Sequence, residues 1–538
     1  MKRHIALLPM LLAVAIGIAQ NANDTINRMV LVESTYNPII AGAVKHNFIP
    51  EEVKPMVSKE QVVYAEEGMA LTYFDRMAQP AQAVDVAHDK GTKGYAHLGY
   101  GTYNNLSALA AYKLQMDKHS DLILKAHADE WNGKFRLSGN DKWHSYLYDI
   151  GINADYTLKL NKATLDAGVN ATNYTYNYRG YDGSPKQKSN NINAYVGIEG
   201  LMKERYHYHA TIGYTHFDRS RHFDYNAHGE NHLHSEIAFG MDLYDWGMAS
   251  VDVTYDLLTY KGLSDYYNYG SFGITPKWEY QYSKFKFISG FNVDFLAGNQ
   301  ALQPIQFSPE CSISFVPNKV FVVKFTLDGG RELPTFGHLY ELSPYWASAK
   351  QLRPSYTFMN ARLDGGVRIF EGMHLHLGGG YKIVSDALLE TKMDSLKVNY
   401  SGITNHKVQV ATVDGCISYN HKDLVYLSAK GAYYHWTLKG DRALLARAPQ
   451  LDASIDARVR IIPKLYAHTN LRWVAFTNTK VVKRERDIID WSLGANYALN
   501  EHISFFLDVH NLLGRRYSYF TGYPSQGFNA LIGAMVKF

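Results

Sequence analysis

From Tyr95 to Phe538 the chain repeats segments of 9 to 16 residues in which small or apolar residues alternate with polar ones. A period of two is typical of strands, because successive side chains of a strand point to opposite faces. Turn-forming residues separate the segments. The pattern predicts an all-β protein, and counting segments gives about 22 antiparallel strands.

The connections between these segments alternate between two kinds. Short turns are predicted at residues 160–162, 202–204, 244–247, 317–319, 370–372, 420–423, 462–464 and 499–501. Longer loops are predicted at residues 132–142, 177–190, 218–231, 331–355, 386–404, 439–450 and 512–525. Outer-membrane barrels have short periplasmic turns and longer extracellular loops. We therefore predict a transmembrane β-barrel that closes on itself, because lipid offers no water to unpaired backbone groups. An even strand number places both termini in the periplasm.

The two faces of the segment 453–461 separate cleanly. Ala453, Ile455, Ala457, Val459 and Ile461 share one face, and Ser454, Asp456, Arg458 and Arg460 share the other. An arginine facing lipid near the midplane costs about 2–4 kcal/mol, so the polar face must line the lumen. The same test on other strands gives eight lumen-facing binding candidates: Asp456, Arg458, Arg460, His468, Arg472, Lys430, Asp252 and Asp256.

Several tryptophans lie near predicted strand ends. They are Trp143, Trp246, Trp278, Trp436 and Trp491. Because indole rings are amphipathic, such positions predict aromatic belts at the level of the lipid headgroups.

The first 92 residues lack the strand pattern. Lys2, Arg3 and His4 precede an apolar run at residues 5–16 and the small-x-small sequence Gly17-Ile18-Ala19, which predicts a cleaved signal peptide over residues 1–19. Residues 20–92 show no sustained period and predict an irregular periplasmic arm, with the barrel occupying residues 93–538. Beyond the signal, no stretch of about 18 apolar residues exists, which excludes helical membrane proteins.

Composition adds support for strands and excludes some partners. The chain has 41 Tyr, 24 Phe, 8 Trp and only 16 Pro, a mixture that favours strands over helices. The net charge is +4, from 55 basic and 51 acidic residues, so no excess of positive charge indicates nucleic-acid binding. The two cysteines, Cys311 and Cys416, exclude a disulfide scaffold, and whether they pair stays open.

Three stretches carry a resemblance to a known family. They are residues 330–340 (GRELPTFGHLY), residues 506–517 (FLDVHNLLGRRY) and the last strand, with Phe528, Ala530, Ile532, Ala534, Val536 and Phe538 on one face. Together they resemble the barrel domain of TonB-dependent receptors, the ligand-gated transporters of the Gram-negative outer membrane. The resemblance implies 22 strands and a porin-like passage for solutes. The terminal aromatic strand resembles the signal that barrel-assembly machinery reads.

The region before the barrel departs from that family. A receptor of this kind carries a plug of more than a hundred residues, whereas about 73 residues separate Gln20 from Tyr95 here, so a full plug does not fit. Met29, Val30, Leu31, Val32 and Glu33 have the composition of a TonB box, which pairs with TonB by β-augmentation. Such pentamers are common, and we favour arm sequence that follows the periplasmic rim or partly fills the lumen.

The densest cluster of metal-ligand residue types lies at residues 228–236. His232, His234 and Glu236 fall on one face of a predicted strand, so two imidazoles and a carboxylate could converge on Zn²⁺ or a similar ion. In a chain with 23 His, the interpretation that we favour is a polar strand top.

The sequence gives no reason to expect an enzyme or a cofactor. Acidic and His residues are scattered, and neither a nucleophile elbow nor a phosphate-binding loop is present. We predict a barrel for solute binding or passage in the outer membrane, in contact with lipid and lipopolysaccharide, the assembly machinery, and TonB or other envelope proteins. The alternative is a structural or accessory barrel subunit of an outer-membrane assembly or export complex.

Overall fold

The computed structural model describes residues 93–136, 142–179, 186–220, 227–298, 304–318, 320–348, 350–394, 399–422, 424–479 and 486–538. The predicted signal peptide, arm and TonB box lie outside these residues. The strands are β1 (Gly94–Gly101), β2 (Leu106–Gln115), β3 (Ser120–Arg136), β4 (Lys142–Lys159), β5 (Ala163–Asn177), β6 (Lys186–Met202), β7 (Tyr206–Arg219), β8 (His228–Asp242), β9 (Met248–Lys261), β10 (Tyr269–Tyr282), β11 (Phe285–Gly298), β12 (Ile305–Phe315), β13 (Phe321–Glu332), β14 (Trp346–Ala347), β15 (Ser355–Phe370), β16 (Met373–Asp394), β17 (Asn399–His421), β18 (Val425–Leu438), β19 (Pro449–Ile462), β20 (Leu465–Phe476), β21 (Ile488–Ala498), β22 (Ile503–His510), β23 (Ser518–Phe520), β24 (Tyr523–Pro524) and β25 (Asn529–Lys537). Within the described residues, one α-helix, α1 (Phe336–Leu342), lies between β13 and β14.

The sheet closes into a ring. Every strand except β14, β23 and β24 pairs antiparallel with its neighbours along the chain, and β1 also pairs with β25 from Tyr95↔Lys537 to Gly101↔Leu531. The Gly94 amide donates to the Phe538 carbonyl at 2.9 Å, which completes the seam. Closure gives each ring strand two hydrogen-bonded neighbours and leaves no open edge. The predicted antiparallel barrel of 22 strands is confirmed.

The two ends of the ring differ. One end carries short turns such as residues 160–162 and 371–372, and the other carries the longer connections. Gly372 turns with a φ of +83°, and a Cβ there would run into the Asn420 carbonyl, so this tight turn requires glycine. The hydrogen bond between residues 94 and 538 places the two chain ends of the barrel together at the short-turn end.

The outer and inner faces of the wall have opposite chemistry. Large apolar side chains are exposed around the ring, among them Ile152, Ile212, Leu363, Val413, Ile455 and Ile532. The residues that alternate with them carry hydrogen-bonded charges, such as Asp252 with Lys277 and Asp452 with Arg472. An apolar exterior and a polar interior are what a bilayer requires of a barrel.

The buried apolar residues gather at the long-loop end rather than along the ring. The largest cluster joins aromatic residues near the ends of β3, β4, β5 and β7 to the segment between β13 and β15. Two smaller clusters surround the loops after β18 and β20. Within the described residues, no helix is both long and apolar enough to traverse a bilayer.

The predicted loop at residues 386–404 is wrong. β16 continues to Asp394 and β17 begins at Asn399, so the two strands project as a long hairpin. A bulge between Val384 and Ala387, with Asp386 at a φ of +55°, breaks the regular alternation. Irregular alternation at a bulge resembles a loop in the sequence, which explains the error.

The aromatic-belt prediction is wrong for two tryptophans. Trp143 and Trp436 are buried in clusters at the long-loop end, and the Trp436 Nε1 donates to the Pro449 carbonyl at 2.6 Å. Trp246 and Trp278 are exposed near the short turns, and Trp491 is also exposed. Cys311 and Cys416 are both free.

Because the two faces of the wall differ in polarity, an added charge should lower stability on the outer face and have little effect on the inner face. Val413 is 66% exposed on the outer face, near the middle of the β17–β18 ladder. Val413→Lys is expected to lower the free energy of unfolding in lipid vesicles by about 2–4 kcal/mol, because it places an ammonium group in hydrocarbon.

The matched control is Thr412→Lys, on the inner face two residues from Asp414. It should cost little, since the new ammonium group meets water and carboxylates. Urea unfolding followed by the heat-dependent gel shift of closed barrels measures both. Equal destabilisation by the two variants would contradict the assignment of faces.

Candidate functional site

A folded insertion spans the long-loop end of the barrel. We call residues 333–348 and 350–354, between β13 and β15, the cap. Its buried hydrophobic residues are Phe336, Leu339, Tyr340, Leu342, Tyr345, Trp346, Ala347 and Leu352. Glu332 and Ser355 on either side of the cap are direct cross-strand partners. The cap is therefore an insertion at the tip of an otherwise ordinary hairpin.

Local sequence explains the helix of the cap. Pro334 precedes Thr335, whose Oγ1 accepts a hydrogen bond from the His338 amide at 3.2 Å and so caps α1. The helix ends before Ser343, which has extended backbone and precedes Pro344, as a residue before proline prefers. Its apolar residues 336, 339 and 340 recur at helical spacing and are all buried.

The cap reaches across the ring. Tyr340 stacks on Tyr174 of β5 with ring centroids 4.2 Å apart, although seven strands, β6 to β12, lie between β5 and β13. On the other side, β14 pairs in parallel with β17 through Trp346↔Ser401. The cap thus bridges distant strands of the same ring and covers its mouth.

Arg219, at the end of β7, fastens the middle of the cap. Its guanidinium donates to the Trp346 carbonyl at 3.2 Å and to the Tyr178 hydroxyl at 2.7 Å, and it lies 4.4 Å above the Trp346 ring. The Tyr176 hydroxyl donates to the Pro344 carbonyl at 2.5 Å. Arg219 is 1% exposed, so these contacts form where water competes little.

Side chains of the wall also satisfy the backbone of the cap. A Glu230 carboxylate oxygen accepts from the Phe336 amide at 2.8 Å. The Asn405 side chain accepts from the Arg353 amide and donates to the Arg353 carbonyl, at 2.9 Å in each case. In the opposite direction, the Gln351 side chain of the cap accepts from the Tyr267 amide at 2.9 Å and donates to the Tyr267 carbonyl at 2.8 Å, between β9 and β10. Buried backbone groups require such partners, so the cap is a specifically held element.

A second inward segment supports the cap. We call residues 511–528, between β22 and β25, the C-terminal loop. Its Tyr523 stacks on Tyr345 of the cap with centroids 3.4 Å apart and planes 5° from parallel. Burial raises the pKa of the Tyr345 phenol, so the ring stays neutral.

A buried ion pair anchors the C-terminal loop to the wall. Arg447 lies 3.6 Å from Glu390 and donates to the Tyr519 carbonyl at 2.6 Å. Glu390 accepts from the Thr521 amide at 2.9 Å and from the Ser401 hydroxyl. The cap and the C-terminal loop therefore form one tyrosine-rich floor at the mouth, in which the tyrosine rings pack against one another.

The structure places several of the predicted lumen residues in hydrogen-bonded pairs and the others opposite polar or aromatic residues. Asp252 pairs with Lys277 at 2.7 Å, Arg472 with Asp452 at 2.9 Å, and His468 with Asp508 at 3.0 Å. Asp456 accepts from Asn470 at 2.5 Å. Lys430 lies opposite Cys416 and Ser454, Arg458 opposite Tyr426 and His468, and Arg460 opposite Tyr466. The wall thus presents both signs of charge.

The predicted metal set is only partly brought together. His232 and His234 converge, but on Asp256 of the adjacent strand β9, and their ligand atoms and its carboxylate lie within 4.8 Å of one another. Glu236, on the same face of β8, does not belong to this group. The carboxylate of the set is therefore Asp256, which the sequence placed only among the lumen residues.

Several site residues were missed at the sequence level. The residues that fasten the cap and the C-terminal loop, Arg219, Glu230, Glu390 and Arg447, lie at predicted loop boundaries without a motif. Arg362 binds Asp364 and Asp414 within 3 Å in the lumen. The i, i+2 spacing of Arg362 and Asp364 was the signal available, because it puts both on one strand face.

The last strand lies where its sequence pattern placed it on the wall. Phe528, Ile532, Val536 and Phe538 are exposed on the outer face, in line with Ala530 and Ala534. The aromatic Phe538 ring also stacks on Tyr112 of β2 at 5.8 Å.

No known family model and no curated protein sequence matches this chain. Solved structures do match its fold. The FrpB iron transporter from Neisseria meningitidis superposes with a TM-score of 0.64 at 11% identity, over 83% of this chain and 81% of that chain. The copper transporter OprC gives 0.63 at 12% identity, over 83% and 80%.

A third structure is similar to the same degree. The ferric-catecholate import receptor Fiu from E. coli K12 gives a TM-score of 0.61 at 10% identity, over 83% of this chain and 82% of that chain. These proteins are described as transporters and receptors. The likeness is one of fold, and it agrees with the predicted barrel: the chain has the closed antiparallel β-barrel architecture of these solved structures.

Proposed function

We propose that this protein is a receptor-like barrel of the Gram-negative outer membrane that binds solutes at its mouth and passes them through its lumen. The observation that carries the proposal is the cap, an aromatic floor that crosses a wide closed ring. A purely structural barrel has no need of a specifically fastened cover. A transport barrel needs one, because an open ring of this size would leak small solutes.

The chemistry of the wall supports a membrane location. Apolar side chains cover the outside of the ring, and a closed ring is the only sheet that lipid tolerates. We place the short-turn end in the periplasm and the cap at the extracellular face, as in other barrels of this kind. Lipid and lipopolysaccharide would then surround the wall, and residues 93 and 538 would both meet the periplasm.

The solute class follows from the lumen and from the similar structures. The lumen carries acidic, basic and imidazole groups, which suit polar or metal-containing solutes. The named neighbours handle iron, copper and ferric catecholates. For this chain we propose uptake of small polar or metal-carrying compounds, energised by TonB if residues 29–33 serve as its docking strand.

Removal of the cap tests the proposal. Because Glu332 and Ser355 are cross-strand partners, an Asn-Gly turn can replace residues 333–354 without disturbing the ring. The capless barrel is expected to conduct ions and admit sugars in planar bilayers and liposome swelling, whereas the intact protein stays closed.

The control replaces residues 137–141, which join the cross-strand partners Arg136 and Lys142, with the same turn. It should behave as wild type. Each barrel is also made without residues 20–92, which separates a block by the cap from a block by the arm. A capless, armless barrel that still seals the bilayer would overturn the proposal, and co-purification with stoichiometric envelope proteins would favour an accessory subunit.

Loosening the cap should be possible with one substitution. Arg219→Met keeps the length of the side chain but removes the donors to the Trp346 carbonyl and the Tyr178 hydroxyl. A hydrogen bond from a charged group contributes about 1.5–3 kcal/mol, and these are lost. We expect the amides of residues 336–347 to lose protection against hydrogen exchange by about that amount.

Arg205→Met is the matched control. Arg205 also donates to a backbone carbonyl, that of Asp242, at 3.1 Å and lies 4.3 Å above the Tyr244 ring, but at the opposite end of the barrel. This variant should leave exchange in the cap unchanged. Unaltered exchange in Arg219→Met itself would show that Arg219 does not hold the cap.

A further inference from the structure

Three side chains of the lumen wall converge beneath the cap. His232 and His234 lie two residues apart on β8, and Asp256 on β9 is the cross-strand partner of His234. One carboxylate oxygen of Asp256 lies 2.8 Å from Nε2 of His232 and 2.7 Å from Nδ1 of His234. Two imidazoles and a carboxylate therefore point at one place.

The scaffold under these side chains is rigid and leaves room for a ligand. β8 is hydrogen-bonded along its length to β7 and β9. The β7 residue opposite His234 is Gly213, and a Cβ there would meet nothing closer than 3.7 Å. The His234 side chain is 42% exposed, against 18% for His232 and 14% for Asp256. The cluster is thus walled on one side and open toward the lumen.

A second cluster of the same residue types in the barrel already contains a cation from the protein itself. Asp364, His376 and Asp414 also lie within 4.8 Å of one another. There the guanidinium of Arg362 sits 2.8 Å from Asp364 and 2.7 Å from Asp414, so a cation already neutralises the carboxylates. Asp256 instead has the two histidines within ion-pair distance, and the guanidinium of Arg331 acts on it only from farther away.

We propose that His232, His234 and Asp256 bind a divalent late first-row transition metal, of the Zn²⁺ or Cu²⁺ kind. Imidazole nitrogen and carboxylate oxygen are ligands that these ions accept, and three protein ligands leave a fourth position for water or a solute atom. Each histidine would place its proton on the ring nitrogen away from the metal. Glu236, two residues further on the same face, adds negative charge near His234.

The position of the site gives it a place on the solute route. Glu230, which holds the Phe336 amide of the cap, is on the same face of β8 as His232 and His234. An ion that passes the cap would meet this cluster directly below it. The inference goes beyond the proposed function, because the site can bind metal whether or not solutes cross the barrel.

Zn²⁺ titration of the whole protein tests the site. The barrel is purified without a histidine tag, stripped with EDTA and titrated with Zn²⁺ in a calorimeter, with Co²⁺ absorption as a second report of nitrogen and oxygen ligands. Wild type is expected to bind one Zn²⁺ that H232Q/H234Q loses. D256N should weaken binding at least about tenfold, since even an indirect partner of a metal ligand contributes that much.

The matched control is H374Q/H376Q, which removes another pair of histidines two apart on one strand face. It should keep the wild-type stoichiometry and affinity. All variants are first checked for the closed barrel by the heat-dependent gel shift. Equal Zn²⁺ binding by wild type and H232Q/H234Q would overturn the proposal, as would equal loss in the control pair.

Discussion

Closure of the hydrogen-bond ladder is the constraint on which the rest of the molecule depends. Hydrocarbon cannot solvate a backbone amide, so each strand needs a partner on both sides and the last must return to the first. The seam from Tyr95↔Lys537 to Gly101↔Leu531 meets this condition. In the closed ring, alternate side chains of each strand face the lipid or the lumen. The loops at the long-loop end are not needed for closure and can form other structures, such as the cap.

The backbone polar groups of the cap also need hydrogen-bond partners. The cap carries its backbone into an aromatic mouth where, apart from the short pairing of β14 with β17, no strand ladder satisfies its carbonyls and amides. Side chains of the wall replace that ladder: Arg219 reaches the Trp346 carbonyl, Glu230 the Phe336 amide, and Asn405 both polar groups of Arg353. These bonds and the aromatic packing of the cap are separate from the ladder that closes the ring, so their loss would leave the ring paired.

What the sequence could predict follows from the range of each interaction. Strand identity, the facing of Ile455 or Arg472 and the size of the ring depend on local alternation, and they were predicted. The stacking of Tyr340 on Tyr174 joins residues far apart in the chain, and no local pattern encodes it. The third member of the predicted metal set was wrong for a similar reason: it is Asp256, not Glu236. The pattern within one strand shows which residues share a face, but it does not show the register with the next strand.

Because the cap lies at the tip of a hairpin, its sequence can change independently of the sequence of the barrel wall. Glu332 and Ser355 pair with each other whatever lies between them. Insertions and deletions in the intervening residues can therefore change the cap while the strands of the wall stay the same. The segment between Glu332 and Ser355 is thus a module that can be exchanged as a unit, because the pairs that close the ring lie outside it.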